Sequence, residues 1–254
     1  MPILGVHPVF PLNKFVEQIE NNQFTLIPIK VNNFISKYIA LSYCLIMISG
    51  IFFFPILLDH GIFITEGWLI SEGFKPYIDL FDNKPPAIYY LNSFKILLFE
   101  TQLGWNFIDL LIYLSFIIAI WLLLENTKSS RPLLLASSVA YIYNPYIFEY
   151  GGLTEIYGSG LILFSMLFFN KERYLLSGIM IGLSLWFKEP FILFIFFPFF
   201  ISSKSHNNKK YFIGTFISIG IGLLLLYSHG MLPAYIDMIS NNIVYTNTNF
   251  NWEI

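Results

Sequence analysis

Between Asp59 and Pro86 the chain reads DHGIFITEGWLISEGFKPYIDLFDNKPP. These 28 residues hold five of the sixteen acids (Asp59, Glu66, Glu72, Asp79 and Asp82) together with Lys75, Lys84 and His60. In a chain only 12% charged, that concentration marks the place for chemistry. A carboxylate one residue beyond a long apolar run has two readings. Asp59 either marks the boundary where water begins, or is a general base at the membrane surface, screened from bulk water and facing a substrate delivered from the lipid phase. Lys84, in DNKPP, is followed by two prolines that fix the backbone immediately after it. A rigidly placed cation suits a phosphate; a lipid headgroup, or an ion pair with Asp82 or Asp79, would use it equally well.

The elements that must position these residues are apolar. The chain is 56% hydrophobic and 19% aromatic, with a mean hydropathy of +0.65, and its apolar residues come in runs separated by small charged clusters. This composition predicts an all-α polytopic membrane bundle. The net charge of −2 and the scattered cations leave no basic patch, which excludes a nucleic-acid partner. Cys44 is the sole cysteine, so an intrachain disulfide and a thiolate metal site are excluded as well. Residues 1–38 lack the short basic stretch and compact apolar core of a cleaved leader and are expected to form a cytoplasmic N-terminal segment.

Residues 39–58 are twenty positions without a charge, a helix of about 30 Å and hence a membrane span. Further apolar pieces follow at 87–99, 107–124, 133–148, 156–169, 174–187, 191–201 and 212–227. Lys128 and Arg131, Lys171 and Arg173, and Lys204, Lys209 and Lys210 form three basic loops, which the positive-inside rule places in the cytoplasm. An odd number of crossings must then separate the external loop from Lys128, yet two apolar pieces lie between. Residues 87–99, roughly 20 Å as a helix and carrying Asn92, Ser93 and Lys95, are expected to lie flat on the outer interface. About seven transmembrane helices result, with a first external loop over 59–104 that contains an interfacial helix, in a membrane domain running from 39 to 254. Residues 174–201 are interrupted by Lys188, Glu189 and Pro190, and basic loops at both ends favour a hairpin. Glu66 and Glu72 suit the water-facing side of a surface helix, Tyr77, Tyr89, Tyr90, Trp68 and Trp105 suit an aromatic belt, and Asp109 is either paired or interfacial.

In order, the chain carries an apolar span, Asp-x-Gly, Glu-Gly-x-x-Pro-Tyr-x-Asp, Phe-Asp-Asn-Lys-Pro-Pro and Tyr-Tyr-Leu. Residues 59–91 in this order resemble the first external loop of the GT-C superfamily of polytopic glycosyltransferases, in particular the branch of protein O-mannosyltransferase-like enzymes and lipid A aminoarabinose transferases. The resemblance implies that Asp59 is the catalytic carboxylate that activates the acceptor and that Lys84 contacts the phosphate of a polyprenyl-phosphate sugar donor. NPYIFEYGGLTEIYG resembles the second acidic position of the family and implies Glu155 on the substrate. GLSLWFKEPF resembles its Gly-rich helix with a lysine and implies Lys188 on the donor phosphate. His60 and Glu66, in the same loop, are further candidates for contact with substrate. Many members carry an acid where this chain has His60, so no metal ligand is assigned and no cofactor is implied.

The implied reaction is sugar transfer, with inversion, from a polyprenyl-phosphate donor to a lipid or glycan acceptor. It would take place on the outer face of the cytoplasmic membrane. A transporter or flippase of lipid-linked sugars, which would show broken helices in two related halves, is the alternative. Members of the branch run to about twice this length, which makes a non-catalytic fragment of a larger glycosyltransferase, completed by a partner or a further part, a second alternative.

Overall fold

The first apolar run does not form a single helix. In the computed structural model, which describes residues 33–52, 58–80, 82–124, 152–201 and 205–249, α1 spans Asn33–Ser49 and runs into a 3-10 turn at Gly50–Phe52. The next helix, α2, begins at Leu58 and spans Leu58–Ser71. Helix α1 therefore starts before the expected span of 39–58 and stops short of its end. Gly50 is the physical reason on this side, since a glycine in a helix interior costs roughly 0.5–1 kcal/mol of backbone entropy. Asp59 consequently sits in the first turn of a new helix rather than at the exit of the old one.

The remaining elements are α3 (Ala87–Leu98), α4 (Gln102–Leu123), α5 (Thr154–Asn170), α6 (Tyr174–Leu185), a 3-10 segment at Glu189–Phe196, α7 (Phe197–Ile201), α8 (Ser205–Ser228) and α9 (Leu232–Asn249). Among the described residues there is no strand, only an isolated bridge between Pro76 and Leu80. The all-helical expectation holds, but the expected count of about seven transmembrane helices is not established. Among the described residues two helices are long and apolar enough to cross a membrane, Gln102–Leu123 and Asn208–Ser228, with mean hydropathies of 2.2 and 1.8. Helices α1 and α5 have 17 residues each and α6 has 12. The expected span at 133–148, most of the N-terminal segment, and Lys128, Arg131 and Lys204 lie outside the described residues.

Side-chain contacts give each helix a direction. Helices α4 and α5 run parallel, because Asp109 and Tyr113 meet Tyr157 while Phe116, a turn or two later, meets Phe164. Helix α6 runs back along α5, with Ser177 bonded to Ser165 at one level and Lys188 to Glu155 at the other. The 3-10 segment returns again, from Lys188 beside Glu155 to Phe197 against Phe169. The hairpin expected across 174–201 is thus present, turning at Lys188, Glu189 and Pro190. Helix α8 lies parallel to α6, and this contact needs glycine: a Cβ at Gly178 would collide with the Tyr211 carbonyl, and one at Gly182 would stand 2.6 Å from Ser218 Cβ.

Two ends of the bundle result. Lys171, Arg173, Lys209 and Lys210 gather at the end where Phe169, Tyr174 and Tyr211 pack together. The Asp59–Pro86 loop occupies the opposite end. There the α8 terminus accepts Lys75 Nζ at its His229 carbonyl (3.2 Å), and α9 folds over the loop through Tyr77–Tyr235 ring contact and an Asn242 Nδ2 bond to the Asn83 carbonyl (2.9 Å).

Helix α3, with 12 residues, is about 18 Å long, shorter than the hydrocarbon core. Its facing corrects the expectation for an interfacial helix. The polar residues Asn92, Ser93 and Lys95 are turned into the bundle and buried, while Tyr90, Phe94, Leu97 and Leu98 are exposed. An apolar outer face is what a helix bordering lipid requires, and the inward polar face has partners in α4 and α5 described below.

Candidate functional site

Lys84 is fixed by aromatic hydroxyls as well as by prolines. The segment from Glu72 to Leu80 is a tight turn, with Gly73 at φ +97° and Tyr77, a non-glycine, at φ +66°. Asp79 caps the Lys75 amide at 2.8 Å, and the Tyr77 amide bonds the Leu80 carbonyl at 2.9 Å. A left-handed tyrosine costs of order 1 kcal/mol or more, and here the strained backbone delivers the Tyr77 hydroxyl to the Lys84 carbonyl at 2.7 Å, with Tyr89 also in reach at 3.5 Å. Downstream, the Ala87 amide bonds the Trp186 carbonyl at 3.0 Å, which pins the Lys-Pro-Pro turn to the end of α6. The ion pair with Asp79 or Asp82 does not form: the salt bridges among the described residues are Lys95–Asp109 and Lys188–Glu155.

Glu155 stands in the first turn of α5 and Lys188 in the extended link after α6. Their side chains meet at 2.6 Å, Glu155 35% and Lys188 22% exposed, and Thr154 Oγ1 donates to the second carboxylate oxygen at 2.9 Å. Asp59 is half-exposed in the first turn of α2, where the helix dipole favours an anion. Its neighbour His60 is buried, and burial, with the nearby Lys95 charge, pushes the imidazole down to about 4, so the ring is neutral at physiological pH. His60 packs on Gly152, whose φ is +82° and whose Cα approaches the ring so closely that a Cβ would collide with it. Gly152 is two residues ahead of Thr154, so α2 and α5 bring their first turns together.

The geometry therefore links three of the expected places: Asp59 and His60 to the α5 terminus through Gly152, Glu155 to Lys188 directly, and Lys84 to the α6 terminus through Trp186. No hydrogen bond or ion pair joins Asp59 to Lys84. Glu66 is elsewhere. It is 8% exposed and contradicts a water-facing position, because the Gly67 turn beside it packs against Asn92 with no room for a Cβ. Burial and the nearby Asp82 push its carboxyl up to about 7. Glu72 is exposed as expected. Among the described residues no group of three or more His, Cys, Asp or Glu side chains is arranged to hold a metal ion.

Next to these residues lies a cavity of about 400 Å³ between α3, α6, α8 and the α8–α9 turn. Pro86 and Tyr90, Trp186, Gly222, Leu226 and Met231 are among its walls, which are almost wholly apolar. Pro86, two residues after Lys84, and Trp186, two before Lys188, line the groove, whereas neither lysine is among its lining residues and Lys188 Nζ is turned to Glu155.

Over 174 residues the chain is 27% identical to GPI mannosyltransferase 1 of Saccharomyces cerevisiae (strain ATCC 204508 / S288c). It is similar to a mannosyltransferase. The match covers 66% of this chain and 42% of the yeast protein, so the chain spans less than half the length of that relative. The likeness agrees with the resemblance to membrane glycosyltransferases at the level of the superfamily, and it does not extend to the protein O-mannosyltransferase or aminoarabinose transferase branch. No protein-family model matches the chain, and no solved structure does.

Three residues that sequence reasoning named without giving them a role in the site belong to its surroundings. Tyr89 is fully buried and Tyr77 bonds the Lys84 carbonyl, so neither belongs to an aromatic belt. Asp109 is paired: both its oxygens accept from Lys95 Nζ, at 3.0 and 2.9 Å. The available signal was spacing, since Lys95 is the single cation of an otherwise apolar piece and Asp109 the single acid of the next.

Proposed function

We propose that the chain is a membrane glycosyltransferase acting on a polyprenyl-phosphate sugar, on the outer side of the cytoplasmic membrane. The observation that supports the reading is the bond that holds the Lys84-Pro-Pro turn to the end of α6 at Trp186, beside an apolar groove walled by Pro86 and Trp186, with the Lys188–Glu155 pair two residues beyond Trp186. An isoprenoid tail suits the groove, whose volume falls within the range of about 300–1,000 Å³ typical of ligand sites, and a phosphate suits Lys84 and Lys188, each two residues along the chain from a groove wall. The acceptor hydroxyl attacks the anomeric carbon and gives its proton to Asp59. The bond from that carbon to the phosphate oxygen breaks with inversion, and the polyprenyl phosphate leaves with the electron pair, its charge met by Lys84 and Lys188. The Lys188–Glu155 pair is part-exposed, so exchanging the carboxylate for a phosphate costs little. The basic residues Lys171, Arg173, Lys209 and Lys210 at the far end support an outward-facing site through the positive-inside rule. The name of the yeast relative makes mannose the first sugar to try and a glycolipid the first acceptor.

The test is transfer from radiolabelled polyprenyl-phosphate mannose, glucose and aminoarabinose in membranes containing the chain, with donor binding measured separately. Asp59→Asn is expected to lower transfer about 10²–10⁴-fold, the range for loss of a general base, while leaving donor affinity intact. Lys84→Ala is expected to weaken donor binding and rate together, because it removes charge stabilisation from both ground and transition states. Transfer by Asp59→Asn at the parent rate would reduce Asp59 to a boundary residue and end this mechanism.

A further inference from the structure

Behind the first turn of α2 runs a buried polar chain that the proposed reaction does not use. It ends on Lys95 and Asp109, each 1% exposed. The Tyr157 hydroxyl donates to the Asp109 carboxylate and accepts from Lys95 Nζ at 3.4 Å. The Tyr113 hydroxyl donates to that of Tyr157 at 3.4 Å, and the Gly152 amide donates to the Tyr113 hydroxyl at 2.8 Å. Three donors thus point the same way, Gly152 to Tyr113 to Tyr157 to Asp109, and each polarises the next toward the anion. At the other end of the chain Gly152, in a left-handed conformation, bears on the imidazole of His60. His60 Nε2 is buried and has no hydrogen-bond partner among the described residues, so packing against Gly152 rather than a bond of its own locates that face of the ring.

We propose that Lys95, Asp109, Tyr157 and Tyr113 are positioning residues: through Gly152 they set His60, and with it the first turn of α2 that carries Asp59. The catalytic consequence rests on the glycosyltransferase reading; the mechanical link does not. A buried ion pair is weak evidence for stability, since an apolar pair of like volume often serves as well. What an apolar pair cannot supply is a fixed acceptor at the end of a donor chain. The charge pair therefore orients, and neither Lys95 nor Asp109 lines the groove that would hold the donor.

Tyr113→Phe deletes one oxygen, keeps the ring and leaves the Gly152 amide without its acceptor. Tyr157→Phe cuts the chain one link further on, so the proposal survives a folding failure of either variant alone. Each is compared with the parent in nanodiscs by hydrogen–deuterium exchange, together with polyprenyl-phosphate mannose binding and transfer. Exchange over residues 58–63 and 152–157 is expected to rise while the peptides of α6 and α8 keep the parent pattern. Donor affinity is expected to stay unchanged and the transfer rate to fall by about tenfold, the worth of one buried hydrogen bond. Parent-like exchange over 58–63 in both variants overturns the link, whatever transfer does. Faster exchange throughout the chain, with donor affinity and rate lost together, overturns it too, because the residues would then be merely structural. Local exchange changes in a parent that transfers none of the sugars uphold the link and count against the glycosyltransferase reading alone.

Discussion

Asp109→Asn perturbs the bundle where α3, α4 and α5 meet, and the structure sets the size of the effect. At 2.9 Å and an effective dielectric of about 20, the attraction between Lys95 and Asp109 is roughly 6 kcal/mol, which several kcal/mol of desolvation for each ion largely offsets. The net worth of the pair is therefore small. Removing the charge of one member is a different matter, because the Lys95 ammonium, 1% exposed, would keep a neutral amide oxygen and the Tyr157 hydroxyl and ring beside it but no counter-charge. That loss is expected to cost about 3–5 kcal/mol. For a chain of this size each kcal/mol moves the midpoint by about 2–4 °C, so Asp109→Asn should melt roughly 6–20 °C below the parent. Lys95→Met should fall by a comparable amount, whereas Lys95→Met with Asp109→Leu should return close to the parent, since no buried charge is left alone. The protein carries its own reporter: Cys44 is the only cysteine and is fully buried, so a thiol-reactive fluorophore added during heating reads its exposure. Parent-like melting of either single variant, or a double variant as unstable as the singles, would refute the reasoning.

Glu66 supplies a pH prediction. Its folded carboxyl titrates at about 7, raised by burial and by Asp82, above the ordinary value near 4.5, so between those limits the folded chain holds a proton that the unfolded chain has released. Its contribution is complete below about pH 4.5, is lost as pH rises to about 7, and is flat above that. The difference in melting point between Glu66→Gln and the parent should therefore be near zero at pH 5 and favour the variant at pH 8; a pH-independent difference counts against it. His60, depressed to about 4, acts in the opposite sense below its unfolded value, which is why the comparison is made by difference. Gly152→Ala is expected to lose about 2–5 kcal/mol, from a left-handed alanine and from its methyl against the His60 ring. Adding His60→Ala should restore only the packing part, and full recovery of the melting point would show that the backbone conformation carries no cost.

What the sequence made legible and what it hid divide along a physical line. Apolar runs and charged clusters show where helices pass and which ends share a side, and the hairpin at Lys188, Glu189 and Pro190 followed from charge at both its ends. The first helix was misplaced because hydropathy averages over a break: Gly50 ends α1 inside a run that reads as one span. The facing of α3 was hidden for a related reason. In water an amphipathic helix turns its polar side outward, but beside lipid the outer side is apolar, and polar residues at Asn92, Ser93 and Lys95 must look inward for partners. That inversion is what makes Lys95 available to Asp109, and it turns two residues that reading by composition leaves without a role into the anchor of the chain behind Asp59. In the proposed reaction the recognisable motif, Asp59 to Pro86, supplies the surface on which a donor and an acceptor would meet. The residues that hold that surface in place come from helices 14 to 62 positions away from Lys95 in sequence, and spacing within a motif carries no record of such pairs. They become legible only by asking, for each lone charge in an apolar helix, which opposite charge at the same depth could neutralise it. Asp109 is the one acid in the 22 residues of α4, and it meets the one cation of α3.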